Sequence, residues 1–291
     1  MTNKRICIFF GIIFILYLPM IGCGDDNRIR NSGMNKEEKM ETYSQEQNEL
    51  FFITESDQNT SYTEPIRVEL TQMSKSYVIE SAGEYVLSGV TSEPLIVDAH
   101  DEIVHIFLDG VTIDSNMGSA MNIQSAGKVI ITLVEGSENV FLDSAYYEDE
   151  EVNAAIYSEC DLTINGTGML NVCGYYKDAI HTKDVFKLLG GQVHLQAKRC
   201  GIRGNDGIVL SPMSLAIESE KNGCETTNAN NEEKGNVKIV GGDISIIAGE
   251  YAIVALANVF IEGGEIYFNS VIDNIHTEGQ QYIAEGAIVN E

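Results

Sequence analysis

A pair of residues, one small and the next usually apolar, returns along this chain at intervals that constrain the fold more than any other feature. Ala120-Met121, Ala155-Ile156, Ala179-Ile180, Gly201-Ile202, Gly223-Cys224, Ala252-Ile253 and Asn274-Ile275 align. Their second members are 35, 24, 22, 22, 29 and 22 residues apart. Two of the longer steps contain polar insertions, "DSAYYEDEE" at 143–151 and "NANNEE" at 228–233. A second landmark keeps the same phase. Gly166-x-Gly168, Gly190-Gly191, Gly241-Gly242 and Gly263-Gly264 each precede an alternating apolar run, and Met213-x-Leu215-x-Ile217 occupies that place without glycines.

The segments between landmarks are short and β-branched, as in Val129-Ile130-Ile131-Thr132-Leu133 and Val237-Lys238-Ile239-Val240, and no stretch after residue 66 sustains a helical 3.6 period. A period of about 22 residues, with two or three strands and no helix per repeat, is that of a parallel β-helix. One coil cannot bury its inward row alone, so coils stack about 4.8 Å apart. The Leu/Asn pattern of leucine-rich repeats is missing, and propeller blades need about 40 residues each. The expectation is therefore all-β: a single-stranded parallel β-helix over residues 66–291, with about nine coils.

The N-terminus reads as an export signal. Lys4 and Arg5 precede an apolar run from Ile6 to Leu18, shorter than the roughly 20 residues a membrane span needs. Met20-Ile21-Gly22-Cys23 resembles the lipobox of bacterial lipoproteins, in which Cys23 is acylated after residues 1–22 are removed. Such a chain is exported and held to the outer face of the cell membrane by its lipid alone. Residues 23–65 are polar and aperiodic, the composition of a disordered tether, with Leu50-Phe51-Phe52-Ile53 as one apolar knot and Pro65 at the boundary. Cys160, Cys173, Cys200 and Cys224 have no zinc spacing and read as core thiols. The net charge of −26 disfavours nucleic acid and anionic lipid surfaces and attracts cations.

"NAAIYSECDLTINGTGMLNVCGYYKDAIHTKD", "GIRGNDGIVL" and "EEKGNVKIVGGDISI" together resemble a bacterial family of secreted carbohydrate-binding proteins. The resemblance spans about residues 77–277. It implies a right-handed, calcium-binding β-helix related to pectate lyases, and hence a polysaccharide partner. The family's Asp-Gly-Ile…Lys-Asp motif is nearly whole at Asp178-Ala179-Ile180…Lys183-Asp184. The next coil keeps Gly201-Ile202 and Asp206 but carries Cys200 and Asn205 where Asp and Lys are usual. Asn222 and Tyr251 also replace the leading Asp, and Asp273 retains it.

Stacking turns the period into columns: Asp178, Cys200, Asn222, Tyr251, Asp273; then His181, Arg203, Glu225, Val254, His276; then Asp184, Asp206, Asn228. Carboxylates one coil apart repel unless a cation lies between them, and Ca²⁺ takes six to eight oxygens. Asp184, Asp206 and Asn228, with Asp178 or Asn205 nearby and Asp273 farther along, are the candidate calcium ligands. Asp and Asn at such turns also commonly bond neighbouring backbone N–H groups with no metal. A bound cation would let so acidic a chain hold an acidic, pectin-like polymer. His181, Lys183, Arg203, Tyr175 and Tyr176 are the candidate sugar contacts, with Tyr157 and Tyr251 as further rings. A calcium-dependent lyase would use Lys183 or Arg203 as base; a hydrolase would need two paired Asp carboxylates; an adhesive or structural surface protein would need neither.

Overall fold

The computed structural model describes residues 52–228 and 234–290. Nine parallel strands, running from Tyr77–Ile79 through Asp178–Thr182 to Asp273–Thr277, form one sheet, which we call the wall. The landmark residues lie side by side in it: Met121, Ile156, Ile180, Ile202, Cys224, Ile253 and Ile275 pair in sequence. The insertions loop out without disturbing this register. A second series passes through Val129, Leu162, Phe186, Ile208, Val237 and Val259. A third passes through Phe141, Val172, Leu195, Ile217, Ile246 and Phe268. The chain is thus an all-β stack of parallel strands, the architecture of a parallel β-helix. Its three inward rows form one continuous apolar core.

The glycine landmark has a steric cause. Gly242 takes φ +107 at the turn into Asp243–Ala248, and a Cβ there would lie 2.4 Å from the carbonyl oxygen of Pro212 in the coil below. Only glycine allows both the left-handed turn and that close stacking. Cys160, Cys200 and Cys224 are buried free thiols, and burial pushes Cys160 up to about 11 and Cys224 up to about 12.

The structure departs from the sequence reading before the boundary. The signal segment, Cys23 and Leu50-Phe51 lie outside the described residues. Residues 52–63, expected to belong to a disordered tether, instead form a strap on the outer face of the second strand series. Thr54 caps the four-residue helix Glu55–Gln58 in a capping box with Asp57. Asp57 is fully buried and bonds Lys128 at 2.9 Å, Lys187 at 3.1 Å and Thr163 Oγ1 at 2.6 Å. Asn165 Nδ2 donates to the carbonyls of Asp57 and Asn59, Lys187 donates to that of Phe52, and Tyr62 packs edge-on against Phe107. The contact is polar and specific, so no hydrophobic period announced it.

Candidate functional site

Side chains alternate along each wall strand, so the neighbours of the inward isoleucines point outward. Tyr157, His181, Arg203, Glu225, Val254 and His276 make one outward row, in register over six coils. Most polar members of this row are engaged by neighbouring side chains. His181 is buried, with Nδ1 2.6 Å from Asn153 Oδ1 and Nε2 3.2 Å from Asn205 Oδ1, and burial lowers it to about 4. Tyr157 packs edge-on against His181 and donates to Glu159 at 2.5 Å, and burial pushes its phenol up. Arg203 donates to Glu225 at 3.4 Å, and Glu225 also accepts from the Cys200 thiol at 2.8 Å and from Asn222.

Asp178, expected among calcium ligands, has another role. It is fully buried, and Arg199 grips it from the next coil with bonds of 2.7 and 2.5 Å, while the Cys200 N–H adds a third at 3.0 Å. Arg199 went unnoticed in the sequence because nothing there says that it reaches back one coil. Asn205 also differs from expectation: its amide oxygen is engaged by His181 and by Thr227 at 2.6 Å, away from the acids. Asp273 stands in the row of Tyr251, two coils past Asn222, where it is exposed and accepts from the Asn274 N–H. It does not share a site with Asp184 or Asp206.

The third column does assemble, with two members the sequence reading missed. The Asp206 N–H bonds the Asp184 carbonyl, and Asn228 Nδ2 donates to Asp206 Oδ1 at 2.6 Å. Asp161 joins from the coil before, its Oδ1 accepting the Val185 N–H at 3.1 Å, and Lys234 pairs with Asp206 from the far side. The spacing 161, 184, 206, 228 would have revealed Asp161. Burial, followed by the carboxylates of Asp161 and Asp206, pushes Asp184 up to about 6. All these donors are hard oxygens, which suit calcium and not zinc. Among the described residues no three His, Cys, Asp or Glu side chains already converge on one point, and Lys234 supplies the local positive charge.

The two tyrosines part company. Tyr176 stacks on Tyr147 at 4.5 Å, with Lys177 over its ring, so it is a packed corner. Tyr175 lines a cavity on the neighbouring face. Lys183 bridges to Glu159 at 3.0 Å, and its side chain is 42% exposed. Indeed every lysine and arginine after Asp178 has a carboxylate partner, commonly one coil away, as in Lys198–Glu220, Lys221–Glu250 and Lys238–Glu262.

A family profile described as "Carbohydrate-binding domain-containing protein" matches residues 74–288, most of the stacked region. The chain belongs to this family. A carbohydrate-binding domain-containing protein of Acetivibrio thermocellus is 29% identical over 99% of this chain and 98% of its own length. A solved structure, the polysaccharide lyase-like protein from C. thermocellum in its gadolinium derivative, superposes with a TM-score of 0.73 and 28% identity. It covers 78% of this carbohydrate-binding chain and 99% of the other.

Proposed function

We propose that this carbohydrate-binding protein is a lipoprotein, acylated at Cys23, that holds an acidic, pectin-like polysaccharide on the outside of the cell with the help of calcium. On this reading the solenoid is right-handed with about 22 residues per coil. The observation that carries the calcium step is the stack of Asp161, Asp184 and Asp206, in which burial and two neighbouring carboxylates already push Asp184 up to about 6. Carboxylates so crowded favour a cation, and Asp161, Asp184, Asp206 and Asn228 would hold it. The ion would supply the positive charge that links protein to sugar carboxylates. The wall's own cations do not supply it, because Arg203 and Lys183 are already paired.

The test is a glycan array probed with the full chain in calcium and in chelator. Retention of polygalacturonate in calcium, lost in chelator, is expected. No retention of any polysaccharide under either condition would overturn the reading in favour of an adhesive or structural role. Turnover is the second reading, which the lyase-like relative favours; Lys183 or Arg203 would then be its base.

A further inference from the structure

The strap and the row beneath it change character at the same place. Between Tyr62 and Phe52 the strap climbs the second strand series from Phe107, past Asn165, to Lys187. Over those coils it meets the polar side chains of Thr163, Asn165 and Lys187, and answers them with Asp57 and with its own carbonyls. Past Lys187 the same outward row continues through Val209, Lys238, Phe260 and Tyr282. There, Lys238 apart, it is apolar. Val209, Phe260, Leu189, Val240 and Tyr282 form a cluster separate from the core, in which Phe260 and Tyr282 stack at 5.1 Å. Val209 is 0% and Phe260 6% exposed, although the inward Ile208, Leu210, Val259 and Ile261 beside them turn both side chains away from the core.

Followed toward the N-terminus, the chain turns apolar in step. Leu50-Phe51 comes immediately before Phe52, and with Phe52 and Ile53 it makes the apolar knot in the polar stretch that ends at Pro65. Direction and length both bring it to the cluster. An extended residue spans about 3.4 Å and a coil about 4.8 Å. Leu50, two residues beyond the carbonyl that Lys187 holds, therefore comes level with Val209, and a few residues more reach Phe260. Burying two large apolar side chains there offsets the entropy of ordering a short further piece of a chain that Asp57 already fixes.

We propose that residues 47–51 dock on this cluster and extend the strap, with Leu50 and Phe51 over Val209 and Phe260. The occupant is this chain's own segment and not a second copy, because Phe52 already holds it beside the cluster at a high effective concentration. The strap then runs lengthwise from the coil of Phe107 to that of Phe260. On the reading that Cys23 is acylated, the tether is shortened to residues 24–46 and leaves the solenoid by its later coils.

The chain contains no tryptophan, so Phe51→Trp reports on this segment alone. The full chain is placed on lipid vesicles and its fluorescence quenched with acrylamide, which is neutral and so indifferent to the net charge of −26. Phe52→Trp, at a residue that is 62% exposed, is the solvent reference. Phe51→Trp should emit further to the blue than the reference and be quenched several-fold less. Adding Phe260→Asp should raise its quenching to the reference level. Leu50→Asp should do the same from outside the coil stack, which keeps the test if Phe260→Asp fails to fold. Phe51→Trp quenched as readily as the reference in a folded chain would overturn the docking. So would shielding that fades on dilution, which gives the face to a second copy, or quenching by brominated lipid, which gives the segment to the membrane. None of these outcomes depends on calcium or sugar, so the docking stands or falls apart from carbohydrate binding.

Discussion

Asp57 and Asp184 are both aspartates lodged against the same stack of coils, and their chemistry runs in opposite directions. Burial would raise Asp57, yet the Thr163 hydroxyl, the Thr54 N–H, Lys128 and Lys187 hold its carboxyl well below the usual range. Burial also raises Asp184, and there the neighbouring acids Asp161 and Asp206 push the same way, with only Lys234 opposing. The difference is therefore not depth but who supplies the positive charge. On the strap face the solenoid offers two lysines and the chain brings one carboxylate to them, so the contact is complete. On the acid stack the carboxylates outnumber the cations, which is the condition under which an ion from solution gains most.

The largest effect should come from breaking the completed contact. Asp57→Ala leaves Lys187, whose side chain is 6% exposed, buried without its counter-charge. Removing one partner of a buried pair costs about 3–5 kcal/mol, and for a domain of this size that lowers Tm by roughly 10 °C. Thermal unfolding by circular dichroism measures it, and a loss below about 1 kcal/mol would mean that the strap is not part of the folded unit. Asp57→Ala combined with Lys187→Met should recover part of the loss, because no charge is then left stranded.

The same contrast explains what could be read from the sequence. Inward rows demand one residue class at every coil, so the 22- to 35-residue steps between Met121 and Ile275 are the steps by which strands pair. The Asp184, Asp206 and Asn228 column was legible for the same reason. The strap was not, because a single Asp with side-chain bonds to Thr163, Lys128 and Lys187 carries no period. The pairing of Asp178 with Arg199 was not legible either, because acid type and spacing cannot tell a ligand from a partner of Arg199. His181 looked like a surface contact, yet the flanking amides of Asn153 and Asn205 enclose it.

A smaller and opposite effect is expected at Asp184. Its folded value of about 6 lies above the ordinary aspartate value of 3.8, so between those limits the folded chain holds more protons than the unfolded one. Stability from this group is therefore greatest below about pH 4, falls as pH rises to about 6, and is flat above. Asp184→Asn removes the ionised form, and in chelator at pH 7 it should raise Tm by a few degrees, or about 1–3 kcal/mol. That advantage should disappear below pH 4. In calcium the order should reverse, because the wild type gains stabilisation from the ion and the variant loses a ligand. A variant less stable than the wild type in chelator would show that Asp184 is a satisfied structural acid like Asp57, and the contrast between the two faces would collapse.

The smallest effect belongs to the exposed pair of Lys183 and Glu159. Their side chains are 42% and 38% exposed at 3.0 Å, so water screens the attraction, and Lys183→Ala should cost at most about 1 kcal/mol. That mildness makes Lys183 a clean probe of the lyase reading, since the variant stays folded while a base is removed. In a binding protein, neither wild type nor Lys183→Ala forms the unsaturated, ultraviolet-absorbing product from polygalacturonate in calcium. Product from the wild type that vanishes in the folded variant would make Lys183 a catalytic base. The acid stack would then serve a reaction and not retention alone, with calcium acidifying the sugar beside its carboxylate.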